Sequence, residues 1–203
     1  MQNSLFDDAE PMKSSETVEE INQEVLSKAK LIPDFADKFF IFGTGKTDSQ
    51  VVIVGESPGL PDADSEKPFM GPTGELLTKI LAAIGLKRDE CYLTNVVKYI
   101  SAGDELSNDI LKFFTPFLHR EMMAINPKII VSLGNTPTKA LLNTKKSITQ
   151  MRGEFYDFQG IKLLPTFNPA YILRDPSKKR EVWEDMKKIR EFLNELTKAV
   201  NIE

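Results

Sequence analysis

The chain has 203 residues, of which 41% are hydrophobic and 28% charged, a composition typical of one globular domain with a tail. Its net charge is −4, with a single cysteine, Cys91, and a single histidine, His119, which together cannot supply a zinc or iron–sulfur ligand set or an internal disulfide. No apolar run approaches the ~20 residues of a membrane span and the N-terminus is acidic, so we expect a cytoplasmic protein without a membrane partner.

The charge is concentrated at the N-terminus. Residues 1–24 contain seven acidic residues and one lysine, which leaves residues 25–203 with a net charge of +2. We therefore predict an acidic flexible leader over residues 1–24 and a single domain over residues 25–203. A short helix is expected from Val18 to Leu31, with little contribution to the core. The weakly basic body is compatible with phosphate contacts.

Short β-branched runs alternate with helical patterns along the body of the chain. The runs predict strands at 51–54, 92–97, 128–133 and 161–166, and the apolar periodicity predicts helices at 74–84, 106–125, 136–142 and 177–200. This alternation predicts an α/β fold, a three-layer α/β/α domain with a central, mostly parallel four-stranded sheet. In such folds a ligand binds at the carboxyl ends of the strands.

Several turn motifs follow these strand ends. Gly55-Glu56-Ser57-Pro58-Gly59 comes directly after the first strand, but it lacks the endings of a phosphate loop or a dinucleotide site. Phe69 lies in a Gly/Pro-rich loop before a helix, and Asn95 and Asn168 follow two other strands. An aromatic ring that stacks on a base and amides that read its edge are what a pocket for an extruded nucleobase requires.

These motifs, in this order, resemble the uracil-DNA glycosylase superfamily over residues 50–190, closest to its family four. The resemblance implies a DNA repair enzyme that flips uracil, or another deaminated base, out of DNA and hydrolyses its N-glycosidic bond without a redox or nucleotide cofactor. The motifs that carry it are Gly55-Glu56-Ser57-Pro58-Gly59, Pro68-Phe69-Met70-Gly71, Thr94-Asn95-Val96-Val97-Lys98, Arg152-Gly153 and Asn168-Pro169-Ala170-Tyr171-Ile172-Leu173-Arg174.

The resemblance also assigns roles around the base. Gly55, Phe69 and Asn95 would form the base-binding site, in which Phe69 stacks on the uracil and Asn95 bonds its O4 and N3–H edge. Glu56 and Ser57 would lie on the catalytic loop that positions the attacking water. The alternative for Phe69 is an aromatic residue that fills the core. The flanking glycines favour the base-binding role over this alternative.

Asn168 departs from the family pattern, because relatives have a histidine there that stabilises the departing uracil anion at O2. Asparagine can donate a hydrogen bond but supplies no positive charge, and loss of one such donor typically costs about 10²-fold in rate. A slow glycosylase, one with altered base preference, and a non-catalytic DNA-binding or replication accessory protein with the same fold are therefore all compatible with the sequence. A small-molecule α/β hydrolase is disfavoured, because no nucleophile and base pair is evident.

Family-four enzymes typically hold an iron–sulfur cluster on four cysteines, two of them before the first strand and two after the strand that ends in the asparagine. Here Tyr99 stands where one of these cysteines would be, and residues 112–116 contain none. We therefore expect no iron–sulfur cluster, no other cofactor and no metal.

The segment after Asn168 is the candidate DNA-binding surface. By resemblance, Tyr171, Leu173 and Arg174 would enter the minor groove beside the flipped base. Lys178 and Lys179 follow closely and either contact phosphate or form an ordinary solvated helix face. DNA containing uracil or another deaminated base is the expected partner of a monomeric protein.

The leader contains a second resemblance. Gln2-Asn3-Ser4-Leu5-Phe6 is similar to the short peptide by which bacterial replication and repair proteins dock on the sliding clamp, with Gln2, Leu5 and Phe6 as its matching residues. A chance match of five residues is the alternative.

Other conspicuous residues are assigned to structure. His119 has no orienting partner nearby in sequence and is expected at the surface. Cys91 is expected to be buried as a small hydrophobic residue. Trp183 shares helical spacing with Met186 and Ile189 and is expected in the core.

Overall fold

The computed structural model describes residues 14–101 and 106–200. The strands are β1 (Val51–Gly55), β2 (Tyr92–Asn95), β3 (Ile129–Leu133), β4 (Tyr156–Phe158) and β5 (Ile161–Thr166). The helices are α1 (Val18–Ala29), α2 (Pro33–Ala36), α3 (Gly71–Ala83), α4 (Asn108–Ile125), α5 (Asn135–Leu142), α6 (Ile148–Met151), α7 (Pro169–Arg174) and α8 (Lys179–Val200), with single 3₁₀ turns at Leu60–Asp62, Arg88–Glu90 and Pro176–Lys178.

The described residues form one five-stranded sheet in the order β2-β1-β3-β5-β4. Its first four strands are parallel, and β4 pairs antiparallel with β5. The fifth strand corrects the prediction of four. β4 has only three residues and no apolar run, and Gln159 and Gly160, both with positive φ, turn it directly into β5.

Helices cover both faces of this sheet, which confirms the predicted three-layer α/β/α architecture. One core contains Val52, Val54 and Ile130 of the strands with buried residues of α1, α4 and α5. The other contains Val51, Ile53 and further strand residues with α3, α7 and α8. β1 and β3 are buried over their whole length, as their continuous apolar runs predict.

Helix α1 is a substantial part of the first core. Thr17 and Glu20 form a capping box at its start, and Val18, Ile21, Val25 and Ala29 are buried against α4. Helix α1 thus lies partly within the predicted leader of residues 1–24, and the expectation of little core there is wrong. The acidic residues that suggest a disordered tail include Glu16 and Glu24, which bind Arg120 of α4.

Two residues assigned to structure lie elsewhere than expected. Trp183 is 39% exposed with Arg190 over its ring, because Val182 and Met186 occupy the core-facing positions of α8. His119 is half-buried, with its Nε2 2.8 Å from the carbonyl oxygen of Ala140. Cys91 is fully buried, as predicted. In residues 14–101 and 106–200, every helix is too short or too polar to cross a lipid bilayer.

The attachment of α1 to α4 predicts a pH dependence of stability. Hydrogen bonds from Arg120 and Lys28 lower the pKa of Glu24 from 4.5 to about 2. Because the pKa is lower in the folded state, this contribution to the free energy of unfolding is present above pH 4.5 and is lost as the pH falls towards 2. Urea unfolding at a series of pH values should show a shallower acid-side decline for Glu24→Gln than for the parent chain. Equal slopes would contradict this account.

Candidate active site

The carboxyl ends of β1 and β2 form the floor of the site. Gly55 pairs with Asn95 in the parallel register of these strands. Beyond that pair, the amides of Val96 and Val97 donate to the carbonyl oxygens of Gly55 and Glu56, both at 2.9 Å. The loops that follow the two strands are therefore fixed side by side.

Gly55 is the point where Asn95 and Phe69 approach each other. A methyl group at Gly55 would lie 2.3 Å from Oδ1 of Asn95 and 2.6 Å from Cζ of Phe69, so no larger residue fits without displacing both. Asn95 is 3% exposed and Phe69 7% exposed. The requirement for glycine is therefore a matter of space between the side chains of Asn95 and Phe69.

Asp62 fixes the loop that carries Phe69. Its buried carboxylate accepts hydrogen bonds from the amide of Gly59 at 3.0 Å and the amide of Met70 at 2.7 Å, which joins the loop after β1 to the loop before α3. Phe69 itself has a φ of 59°, a left-handed conformation that is uncommon for a residue other than glycine. These contacts hold the ring beside Gly55.

Phe69, Asn95 and Asn168 line one cavity of about 190 Å³. These three residues lie on separate segments of the sequence, and the fold brings them together with the candidate catalytic loop. The other residues that line the cavity are Glu56, Ser57, Gly59, Pro61, Asp62, Met70, Pro72, Thr73 and Ala170.

Asn168 combines a position in the cavity with a structural role. It is the N-cap of α7, where its Oδ1 accepts a hydrogen bond from the amide of Ala170 at 2.8 Å. Its Nδ2 lies 3.4 Å from the carbonyl oxygen of Leu133. The cap therefore occupies the amide oxygen and leaves the amide nitrogen as the group that can donate to a ligand.

The Arg152-Gly153 motif supports the end of β5. Arg152 donates hydrogen bonds to the carboxylate of Asp185. The same carboxylate accepts a hydrogen bond from the hydroxyl of Thr166, with 2.6 Å between the two oxygens. The guanidinium lies 5.5 Å from the ring centre of Phe167, immediately before Asn168. Burial raises the pKa of Asp185 against the opposing hydrogen bonds from Thr166 and Arg152. The motif thus stabilises the end of β5 that leads to Asn168.

The two candidate catalytic residues of the first loop are accessible. Glu56 is exposed, and the hydroxyl of Thr136, on the first turn of α5, donates a hydrogen bond to its carboxylate. Ser57 is half-buried, with its hydroxyl 2.9 Å from that of Ser101. The carboxylate is therefore at the rim of the cavity, where water has access to it.

A second cleft of about 490 Å³ adjoins the cavity and shares Glu56 and Asn168 with it. Tyr171 and Arg174 line this cleft, and Leu173 is 47% exposed on the same short helix. The fold thus places these predicted DNA-binding residues next to the cavity.

The two lysines that follow are placed differently. Lys178 forms an ion pair with Glu181 at 2.8 Å and lies 5.9 Å from the ring centre of Phe167, close to the site. Lys179 instead lines a separate apolar groove with Trp183. The structure does not bring Lys179 to the cleft.

A buried ion pair that the sequence pattern does not predict lies directly behind Asn95. Lys98 and Glu121 are each 1% exposed, and their Nζ and Oε2 atoms are 2.6 Å apart. The available signal was the lysine that interrupts the apolar run around residue 97, but a lysine in a turn is ordinarily expected at the surface.

Comparison with known proteins agrees with this geometry. The model of the uracil DNA glycosylase superfamily matches residues 42–187. A type-4 uracil-DNA glycosylase of Thermotoga maritima is 35% identical over 188 residues, 90% of this chain and 98% of the relative. Those of Sulfurisphaera tokodaii and Archaeoglobus fulgidus are 35% and 31% identical, each over 87% of this chain and over 85% and 94% of the relative. With its motifs assembled at one sheet edge and a match of this extent, the chain belongs to the uracil-DNA glycosylase superfamily.

Proposed function

We propose that this protein is a DNA repair glycosylase that hydrolyses the N-glycosidic bond of uracil after the nucleotide has flipped out of DNA. The cavity in which Phe69, Asn95 and Asn168 meet is the observation that carries the proposal. The relatives named above are uracil-DNA glycosylases by name, and they align with this chain over most of its length.

The cavity fits a pyrimidine with the hydrogen-bonding edge of uracil. The ring of Phe69 stacks on the base, and the Asn95 amide donates to O4 and accepts from N3–H. Cytosine presents an amino group and an unprotonated N3 at these positions, so the same amide orientation discriminates against it. Gly55 leaves the space in which both side chains sit.

Catalysis depends on stabilising the departing base. When the bond between C1′ and N1 breaks, negative charge develops on the uracil and reaches O2, where Nδ2 of Asn168 donates a hydrogen bond. Glu56 and Ser57 hold the water whose oxygen then bonds to C1′, and the water proton passes to Glu56 and on to solvent. The uracil anion takes up a proton from solvent, and the products are free uracil and an abasic site.

Tyr171, Leu173 and Arg174 are the proposed contacts to DNA. The cleft that Tyr171 and Arg174 line adjoins the base cavity, so a duplex seated there would present its flipped nucleotide to Phe69. Exposed Leu173 is the apolar side chain that enters the gap in the base stack. We propose a phosphate contact for Lys178, which lies beside Phe167, whereas Lys179 faces the other groove.

The donor set does not fit the iron–sulfur cluster of family-four enzymes. Such a cluster needs four cysteines, and the chain has only Cys91, whose thiol is buried with a pKa raised to about 12. Tyr99 packs at 5.6 and 5.9 Å from the rings of Phe35 and Phe114, so aromatic side chains fill this region. No group of metal-ligating residues occurs in the described parts of the chain. We propose a reaction without a cofactor.

Several further proposals concern partners and location. Gln2, Leu5 and Phe6 lie outside the described residues, and docking of this peptide on a sliding clamp is proposed from its sequence alone. We propose that the protein is a monomer that acts in the cytoplasm. We also propose that the acidic leader ends before α1, which begins at Val18.

One observation favours a second candidate function. Asn168 is neutral and its oxygen is occupied by the helix cap, so the site lacks a cation for the uracil anion at this position. A chain that binds flipped bases in DNA without cutting them is therefore the alternative.

An excision assay distinguishes the two functions. Single- and double-stranded oligonucleotides with uracil, hypoxanthine or xanthine are incubated with the protein, and abasic sites are cleaved with alkali. We expect product from uracil, reduced by about 10²-fold or more in Asn95→Ala because the base edge is no longer read. Asn194→Ala, the same change on the exposed face of α8, is the matched control. Tight binding without product from any base would support the non-catalytic alternative.

Gly55→Ala tests the space beneath the base. The added methyl displaces Asn95 and Phe69, so we expect uracil excision to fall by about 10²-fold, in line with a misplacement of about 1 Å at a reacting site. Gly59→Ala makes the same change on the same loop, 3.6 Å from Pro61, and should retain far more activity. Equal rates for the two variants, measured by single-turnover kinetics, would refute the spatial argument.

Variants of Asn168 separate its two roles. Asn168→Asp keeps a capping oxygen but loses the donor, so thermal stability should be nearly unchanged while excision falls by about 10²-fold. Asn168→His restores a cation-capable donor and should raise uracil excision, at a cost of about 1 kcal/mol from the lost cap. Single-turnover rates and thermal unfolding provide the two readouts. An Asn168→His rate at or below that of the parent chain would count against the leaving-group role.

A further inference from the structure

A fully buried ion pair is unusual enough to require a function. Lys98 and Glu121 are each 1% exposed, and taking two charges out of water is so unfavourable that a buried pair is often no more stable than an apolar pair of the same size. The contribution to stability alone therefore gives no reason to have a lysine at this position.

The ammonium of Lys98 uses all of its hydrogen-bonding capacity. It donates to Oε2 of Glu121 and Oγ1 of Thr94, both at 2.6 Å, and to the main-chain carbonyl oxygen of Asn95 at 2.8 Å. Three donors thus meet three acceptors. The only main-chain acceptor among them belongs to the residue that we propose reads the base.

Glu121 is held equally firmly on the side of α4. Its Oε1 accepts hydrogen bonds from the hydroxyl of Tyr92 at 2.9 Å and from Thr94 at 3.1 Å. Burial raises the pKa of Tyr92, so the phenol stays protonated and remains a donor. The network therefore connects α4, through Lys98, to the end of β2.

These contacts hold the backbone at Asn95 from one side, while β1 holds it from the other. The amides of Val96 and Val97 donate to the carbonyl oxygens of β1 and its loop, and Lys98 bonds the carbonyl oxygen of Asn95 itself. The position and orientation of the main chain at Asn95 are thereby fixed, and with them the point from which its side-chain amide reaches the cavity. Lys98 is not among the residues that line that cavity.

We propose that Lys98 and Glu121 are positioning residues, which set the placement of Asn95 and through it the recognition of uracil. The proposal rests on the base-reading role given to Asn95 above. It requires that neutralising the pair impairs base recognition in a chain that still folds.

The decisive variant is Lys98→Met/Glu121→Gln. Methionine keeps the length of the side chain, and glutamine keeps an acceptor for Tyr92 and Thr94, so no charge is left unpaired. Arg120→Gln is the matched control, since Arg120 adjoins Glu121 on α4 but pairs with Glu16 and Glu24 away from the cavity. The readouts are single-turnover excision of uracil, KM for the oligonucleotide, and the ¹⁵N side-chain amide resonances of Asn95.

We expect the double variant to lose about 10-fold or more in excision rate with little change in KM, because misplacement of about 1 Å at a reacting site can cost 10²-fold. Its Asn95 amide resonances should shift or broaden. The control should lose stability but keep both the rate and the resonances. A folded double variant with the parent's rate and resonances would overturn the proposal.

Two further outcomes are decided by the same design. If the double variant does not fold, Lys98→Met alone removes the donor to the carbonyl oxygen of Asn95 and leaves Glu121 with the hydroxyls of Tyr92 and Thr94, and unchanged Asn95 resonances in this variant overturn the proposal equally. If the parent chain excises no uracil, the proposed glycosylase function fails, whereas the resonances still show whether the pair positions Asn95.

Discussion

The close approach of Asn95 and Phe69 above Gly55 is the constraint on which the site depends. It requires the parallel register of β1 and β2, which places Gly55 opposite Asn95, and it requires the loop that Asp62 holds in place. A sheet slipped by one residue would turn Asn95 to the opposite face. Burial of these strands between two helical layers therefore serves the geometry of the cavity as well as the stability of the fold.

Support for the site is divided between the two sides of the sheet. On the α4 side, Lys98, which is paired with Glu121, donates a hydrogen bond to the carbonyl oxygen of Asn95. On the α8 side, Asp185 binds Thr166 and Arg152 beneath the strand end that leads to Asn168. The strand ends that lead to Asn95 and to Asn168 are thus each bonded to a network that includes a side chain of a helix packed on the sheet. This arrangement is what preorganised electrostatic catalysis requires.

Much of the fold and of the candidate site could be predicted from the sequence, because both depend on local patterns of residues. Continuous apolar runs predict β1 and β3, and the motif resemblance predicts that Phe69, Asn95 and Asn168 surround one base. The short antiparallel β4 has no such run, and the buried face of α1 was obscured by the acidic residues around it. The helical spacing that Trp183 shares with Met186 predicts a buried side chain, but this prediction is wrong. The spacing alone does not determine where the buried face of α8 ends.

The interactions that could not be predicted are the long-range polar ones. Lys98 and Glu121 are 23 residues apart in the chain, and each alone is of a type expected at the surface. The family resemblance also does not predict that Asn168 caps α7, because this role depends on the residue at which the helix begins. Both cases involve polar groups whose partners are chosen by the tertiary fold.

The short strand β4 also affects how the molecule meets others of its kind. It closes one border of the sheet with only three residues, and it runs opposite to its neighbour. A border this short offers few free amide and carbonyl groups to a strand from another chain. Growth of the sheet from one molecule into the next is thereby discouraged at this border.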